Sequence, residues 1–225
     1  MIKTYISLPK RPDLSDEEFR RHWHDVHTPL LHQVRAIRRY VQAHRLAASS
    51  NYFDPVPYCG IAEVWFDDLA TAIHLPNNRE YLRGPHIDEP NFVDKTGLAA
   101  IFTEEHVVFA GDDNPATLGG VKSMFLVKRK QGMNVGDFRS YWKEQPAPLV
   151  TDTPGLRRYV QSHTALETYD AGVPIFDGVA ELWWQDLNTF DRSLKSPEFI
   201  DQQAPDISNF AGPGMALLVE PIRII

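Results

Sequence analysis

The sequence predicts an α+β fold built twice over, each copy running β-α-β-β-α-β. Three observations carry this expectation. IRRYVQAH at Ile37–His44 returns as LRRYVQSH at Leu156–His163. IAEVWFDDL at Ile61–Leu69 returns as VAELWWQDL at Val179–Leu187. The register also holds, at 119 residues from Tyr40 to Tyr159 and 118 from Glu63 to Glu181. Smaller echoes fill the gaps: Phe19 and Trp23 match Phe138 and Trp142, Pro29-Leu30 matches Pro148-Leu149, and Asn91-Phe92 matches Asn209-Phe210. A repeat this long marks a duplicated domain, because solenoid periods run to roughly 20–50 residues.

Copy one opens with an apolar-rich strand, Ile2–Leu8. After a proline-containing turn, Ser15 is placed to cap a helix, with Glu18 as its capping-box partner. Phe19, Trp23, Val26, His27 and Leu30 then recur at three- and four-residue spacing and predict one buried helical face, which Pro29 ends or bends. Strands at Ile37–Leu46 and Cys59–Phe66 flank a loop rich in proline and asparagine. A helix over Leu69–Arg83 is interrupted near Pro76, a short helical piece covers Ile87–Asp94, and a strand at Leu98–Phe109 closes the copy. Copy two repeats the order at Val121–Lys128, Val135–Trp142, Leu156–Thr164, Gly178–Trp184, Thr189–Ile200 and Met215–Ile224. The turn-forming run Gly111–Gly120 is the predicted linker, which gives units at residues 1–110 and 121–225. A split β-α-β unit is ferredoxin-like: helices cover one face of its four-stranded sheet and the other face is bare. Two such sheets are expected to pack face to face.

Composition narrows the function classes. A hydrophobic content of 43% and a charged content of 24% belong to a soluble globular protein. A net charge of −7 argues against a general nucleic-acid binder, which needs a clustered basic surface. The runs Lys10-Arg11 and Lys128-Arg129-Lys130 are short and read as solvated strand ends. Cys59 is the single cysteine, so no intrachain disulfide can form, and beside Gly60 it reads as a small filler. With no long apolar signal core and no run approaching a membrane span, a cytoplasmic protein without a membrane partner is expected. The sequence is compatible with a homodimer.

Strand alternation places Tyr40, Gln42 and His44 on one face, and Ile61, Glu63 and Trp65 on one face of the next strand. The same sets recur as Tyr159, Gln161, His163 and as Val179, Glu181, Trp183. If helices cover the more apolar faces, then Tyr40, His44, Tyr159, His163, Glu63, Glu181, Trp65 and Trp183 all point into the space between the sheets. That would be an aromatic cavity with a few polar groups, the usual character of a small-molecule site.

The pattern Phe19-x-x-x-Trp23-x-x-x-His27-x-Pro29-Leu30, then Arg39-Tyr40, then Ala62-Glu63-x-Trp65-Phe66, resembles the EthD-like family of the dimeric α+β-barrel superfamily. Copy two is similar through Phe138, Trp142, Pro148-Leu149, Gly155-Leu156-x-x-Tyr159 and Ala180-Glu181-x-Trp183. The resemblance spans nearly all of both copies. It implies a barrel of two ferredoxin-like units around a pocket. The superfamily includes cofactor-free dehydratases, decarboxylases, lactone isomerases and monooxygenases acting on cyclic or aromatic compounds, and also haem-binding relatives. Fold follows from such a likeness more directly than chemistry does.

His27 is the most telling difference between the copies: it matches the family's histidine, and copy two has Pro146 in its place. An imidazole can transfer a proton near neutrality without a cofactor. The competing role is a histidine bonded to a backbone carbonyl at the helix end before Pro29. His44 and His163 stand in both copies, which favours architecture, although they could equally form an acid–base pair. Tyr40 and Tyr159 could donate to a substrate oxygen or simply pack. Glu63 and Glu181 would be costly if buried alone, so each is expected to meet an arginine (Arg38, Arg157) or a histidine. Asp88 and Asp206, three residues before Asn91-Phe92 and Asn209-Phe210, are explained as helix N-caps. His86, replaced by Ala204, is a second asymmetric candidate. In His22-Trp23-His24-Asp25-Val26-His27 a metal would find His24 and His27 at i,i+3 but no third ligand, and His22 and His24 read as a solvated face. An axial histidine for haem has no distinguishing signal, and no phosphate loop, serine elbow or CxxC occurs.

The expected activity is a cofactor-independent lyase or isomerase, dehydratase favoured, on a small hydrophobic cyclic or aromatic metabolite. His27 transfers the proton, helped by His44, His163 or Tyr40, while Trp65, Trp183, Tyr159, Glu63, Glu181, His86 and Asp88 line the substrate. A cofactor-free monooxygenase of a phenolic substrate and a non-catalytic binding protein are the alternatives. The copies are expected to be unequal, with copy two acting as wall and lid of copy one's pocket.

Overall fold

The computed structural model describes residues 1–111 and 120–225, so the predicted linker lies outside it except for its end glycines. The chain divides into two compact units, Met1–Arg45 with Pro55–Glu104 and Pro221–Ile225, and Leu46–Asp54 with Glu105–Glu220.

The first unit runs β1 (Ile2–Leu8), α1 (Asp16–Arg21), α2 (Thr28–Leu31), β2 (Arg39–Arg45), β3 (Gly60–Phe66), α3 (Leu69–Ile73), α4 (Arg79–Arg83), α5 (Pro85–Asp88) and β4 (Ala99–Phe109). Its antiparallel pairs give the strand order β4-β1-β3-β2. The capping box forms as predicted: Glu18 N–H donates to Ser15 Oγ at 3.2 Å, and Ser15 N–H donates to the Glu18 carboxylate at 2.8 Å. Between α1 and α2 the backbone winds as a π-helical turn, His22–His27. Pro29 has no N–H for the preceding turn and its ring would crowd a carbonyl there, so the turn opens instead. The extra residue breaks the 3.6-residue pattern. Trp23 and His27 stay buried, while Val26, expected inside, is 48% exposed.

The second unit runs β5 (Val121–Val127), α6 (Val135–Glu144), α7 (Pro146–Thr151), β6 (Leu156–Thr164), β7 (Gly178–Trp184), α8 (Leu187–Leu194), α9 (Ala204–Phe210) and β8 (Met215–Arg223). Its antiparallel order is β8-β5-β7-β6. β6 and β7 have the predicted bounds, whereas α8 stops at Leu194, short of the expected Ile200. The fold class is α+β, and the eight strands follow one another as β1-β3-β2-β8-β5-β7-β6-β4 in a closed barrel.

The register corrects the predicted sharing of faces. Tyr40 lies opposite Val64, and Arg39 opposite Trp65. Partners across an antiparallel ladder share a face, so Tyr40 and His44 do not share one with Glu63 and Trp65. Tyr40, Ala62, Val64 and Phe66 pack under the helices with Phe19, Trp23 and Phe92. The face away from the helices carries charge. Lys3 Nζ lies 2.8 Å from Glu63 Oε2 and 4.4 Å from the Trp65 ring centroid, and the Arg39 guanidinium stacks 4.3 Å from the same ring. The second unit repeats this with Lys122 Nζ 2.7 Å from Glu181 Oε1, and Lys122 and Arg158 over Trp183. Apolarity was the wrong criterion for the buried face, because paired charges stacked on tryptophan can be buried too. Lys3 meets Glu63 and Lys122 meets Glu181. Arg38 instead holds Asp67.

Candidate functional site

The signature Tyr-Val-Gln-x-His of β2 explains how the first helix is seated. At the opened turn the Trp23 carbonyl accepts from Gln42 Nε2 at 2.9 Å and from Thr28 Oγ1 at 3.4 Å. Trp23 Nε1 donates to Tyr40 Oη at 2.7 Å, and the His44 ring bonds Gln42 Oε1 at 3.0 Å with its plane against Trp23. Copy two repeats the set: Gln161 Nε2 reaches the Trp142 carbonyl at 2.8 Å and Tyr159 Oη at 2.9 Å, with His163 against Trp142. The tryptophans lie so close to β3 and β7 that a Cβ on Gly60 would fall 2.5 Å from the Trp23 ring, and one on Gly178 2.6 Å from Trp142. His44 and His163 are thus packing groups, and burial pushes the imidazoles down to about 3. They are neutral at any ordinary pH and make poor acid–base catalysts.

Between this helix layer and the sheet of the first unit lies a cavity of about 190 Å³. Its walls include Ile6, Leu31, Val64, Phe66, Phe92 and Phe102, and all its lining residues belong to the first unit. This corrects two expectations. Trp65 and Glu63 do not line the cavity, and the residues that wall it come from copy one. Trp183 and Glu181 are likewise absent from the lining of the cavity in the second unit, where Tyr159 is present.

His27 lines the first cavity and is 5% exposed. Its Nδ1 lies 3.0 Å from Asp88 Oδ2, not on a backbone carbonyl. The other carboxylate oxygen, Oδ1, meets His22 Nε2 at 2.9 Å and Asn91 Nδ2 at 3.1 Å. Phe92 lies beneath both imidazoles, at 5.0 Å from His22 and 4.9 Å from His27. Asp88 is therefore a clamp on two histidines rather than a helix N-cap. Burial works to raise its pKa, but the bonds from Asn91, His22 and His27 outweigh that and hold the carboxyl below its ordinary value. An ionised carboxylate only accepts, so Nδ1 of His27 carries the proton and Nε2 keeps its lone pair. Among the described residues Nε2 has no hydrogen-bond partner. Burial lowers the imidazole's pKa below its usual value against the opposing pull of Asp88, so the ring is neutral at pH 7.

Four more polar groups line the cavity: Tyr40, Thr4, and the pair Tyr81 and Glu89, in which the Tyr81 hydroxyl donates to Glu89 Oε1 while Lys95 Nζ holds Oε2 at 2.8 Å. Tyr40 Oη accepts from Trp23 and is left with a proton to give; burial raises its pKa. Thr4 is 3% exposed, and its hydroxyl has no hydrogen-bond partner among the described residues. His86, expected at the substrate, lies exposed beside Lys95 and away from the lining.

Copy two shows what the same frame becomes without the histidine. Tyr141 takes the place of His22, and its hydroxyl donates to Asp206 Oδ1 at 2.6 Å, again with an asparagine, Asn209, on that oxygen. Pro146 takes the place of His27, and Asp206 Oδ2 is buried without a partner among the described residues. Ser123, the counterpart of Thr4, accepts from Trp184 Nε1 at 3.0 Å. Phe66, the counterpart of Trp184, has no such donor, which leaves Thr4 unpaired.

Sequence reasoning missed His22 and Thr4. His22 reads as part of the solvated face because five-residue spacing to His27 faces inward only on a π-turn. His24 is exposed against Asp25 as expected. Among the described residues no group of His, Cys, Asp or Glu could hold a metal ion, and no helix is long and apolar enough to cross a membrane.

An α+β barrel whose duplicated units each hold a helix-side cavity, one of them fitted with a histidine–carboxylate pair, defines a class of small-molecule enzymes and binding proteins. The EthD domain model matches residues 11–96 and 130–214, so the chain belongs to the EthD-domain family, twice over. No curated protein matches it. Among solved structures, an anthrone oxidase-like protein aligns with a TM-score of 0.66 at 8% identity, over 98% of this chain and 90% of its own. A candidate monooxygenase from Fusobacterium nucleatum aligns with a TM-score of 0.58 at 9% identity, over 100% and 92%. A chlorite dismutase variant from Candidatus Nitrospira defluvii aligns at 0.55 and 9%, over 97% and 90%. At such identity the likeness is one of fold.

Proposed function

We propose that the chain is an enzyme that moves a proton on a small, mostly apolar cyclic or aromatic molecule held in the first unit's cavity, as a lyase or isomerase, with dehydration the leading reaction. The observation that carries this reading is the His27–Asp88 pair, whose free Nε2 belongs to a neutral, buried imidazole on an apolar wall. In such a reaction Nε2 takes a proton from carbon beside a carbonyl. Tyr40 donates to the oxygen on which charge develops. The electron pair left on carbon forms the double bond, the carbon–hydroxyl bond breaks, and the departing hydroxide leaves as water with the proton from His27. Asp88 stabilises the transient imidazolium.

The test is a mass-spectrometric screen of hydroxylated cyclic ketones and cyclic phenols, followed by His27→Gln. Turnover is expected to fall roughly 10²–10⁴-fold with ligand affinity nearly unchanged. The likeness to an anthrone oxidase-like protein and a candidate monooxygenase supports a second outcome, in which the same deprotonation yields an anion that reacts with oxygen. Oxygen uptake in step with turnover would establish that outcome. Tight binding without turnover in the wild type would overturn the enzymatic reading.

A further inference from the structure

We propose that the second unit holds a separate binding site, for an uncharged hydrocarbon ring without hydrogen-bonding groups. Its helix-side cavity measures about 200 Å³ and is walled by Trp142, Leu182, Trp184, Phe190, Phe199 and Phe210. A cavity lined by such side chains stays dry, and small arenes fill it well because they sacrifice no hydrogen bond on entry.

Each polar side chain of the wall has a partner inside the unit, and only the Ser123 and Tyr159 hydroxyls, which accept, keep a proton to give. Ser123 Oγ accepts from Trp184 Nε1 at 3.0 Å, and Tyr159 Oη accepts from Gln161 Nε2 at 2.9 Å. Thr153 Oγ1 donates to the Val150 carbonyl at 2.6 Å and accepts from Gln203 Nε2 at 2.7 Å. Ser193 Oγ donates to the Phe190 carbonyl at 2.7 Å. Pro146 stands where the first cavity has His27, and no titrating imidazole or carboxylate lines this one. A ligand hydroxyl entering it would lose its water partners and find at most a donor in Ser123 or Tyr159, with no imidazole or carboxylate to accept its own proton. The first cavity offers the opposite, with His27, Tyr40 and the unpaired Thr4 hydroxyl on its wall. The two cavities thus select different chemistry within one family of fold, and this site stands whether or not His27 is a catalyst.

Naphthalene and 2-naphthol are the probes. In the wild-type protein, naphthalene is expected to shift the methyl resonances of Val150, Leu182, Leu194 and Ile207, and to bind about tenfold or more tightly there than 2-naphthol. Ala180→Leu, which fills this cavity, should weaken naphthalene binding at least about tenfold, whereas Ala62→Leu, its counterpart on the first cavity, should not. Should Ala180→Leu fail to fold, the wild-type methyl shifts decide alone. Shifts confined to Ile6, Leu31 and Val64, or equal affinity for the two probes at the second unit, would overturn the proposal.

Discussion

His27 owes its chemistry to a residue 61 positions away. Without Asp88 the imidazole would be a buried base with no fixed tautomer; with it, one nitrogen is committed as donor and the other is free. Because the carboxylate raises the His27 pKa against burial, Asp88→Asn should lower that pKa further. Activity requires the neutral ring, so the acid limb of the pH–rate profile should lie below 6.5 in the wild type and move lower still in the variant. The maximal rate should fall by on the order of 10²-fold as the imidazolium loses its stabilising charge. A titration of the His27 ring by NMR alongside the rates checks both. His22 shares the clamp without lining the cavity. His22→Tyr reproduces the Tyr141–Asp206 bond of copy two and is expected to retain activity within a few-fold, which steady-state kinetics can read directly.

At the level of elements, the repeated Tyr-Val-Gln-x-His strand is the device that seats a proline-interrupted helix inside a core. A buried carbonyl without a partner is expensive; Gln42 reaches that of Trp23 in the π-turn of copy one, and Gln161 reaches that of Trp142 in copy two, where Pro146 has no N–H to offer. The tryptophan can sit over the strand only because the facing residue is a glycine. Gly60→Ala would set a methyl 2.5 Å from the Trp23 ring and 2.9 Å from the Ala43 carbonyl, and Gly178→Ala one 2.4 Å from the Ser162 carbonyl. Each should destabilise the fold by about 1–3 kcal/mol in urea denaturation, from overpacking against groups that cannot yield. Gly60→Ala should also cost activity, because Trp23 lines the cavity with His27.

For the molecule as a whole, duplication has doubled a liability along with the architecture. His44 and His163 are held neutral by burial, with pKa values of about 3 against 6.5 in the unfolded chain. A depressed folded-state pKa means stability that is fully present above pH 6.5 and is lost as pH falls towards 3, since only the unfolded chain takes up the proton in that window. At pH 5 each histidine should cost about 2 kcal/mol relative to pH 7. His163→Gln should therefore remove about half of the loss owed to this pair, as measured by urea midpoints at the two pH values. Equal slopes in variant and wild type would show that these rings are not protonated on unfolding.

The doubling, the order of elements along the chain, the capped helix start and the unequal residues His27 and Pro146 were legible in the sequence, because repeats, caps and alternation are local properties that survive without tertiary contacts. The bounds of β6 and β7 were legible there as well. Other features required the fold. Which side of each strand the helices cover could not be read from apolarity, since the opposite side buries Lys3 with Glu63 and Lys122 with Glu181. The cavity therefore lies on the helix side with Tyr40, apart from Trp65. The pairing of Asp88 with His22 and His27 depends on a π-turn that no 3.6-residue pattern anticipates and on chain segments brought together from 61 and 66 residues apart. Thr4 is unpaired only because Phe66 lies where copy two has an indole N–H. Such partnerships are set by packing across the sheet, and packing is decided by the whole chain at once.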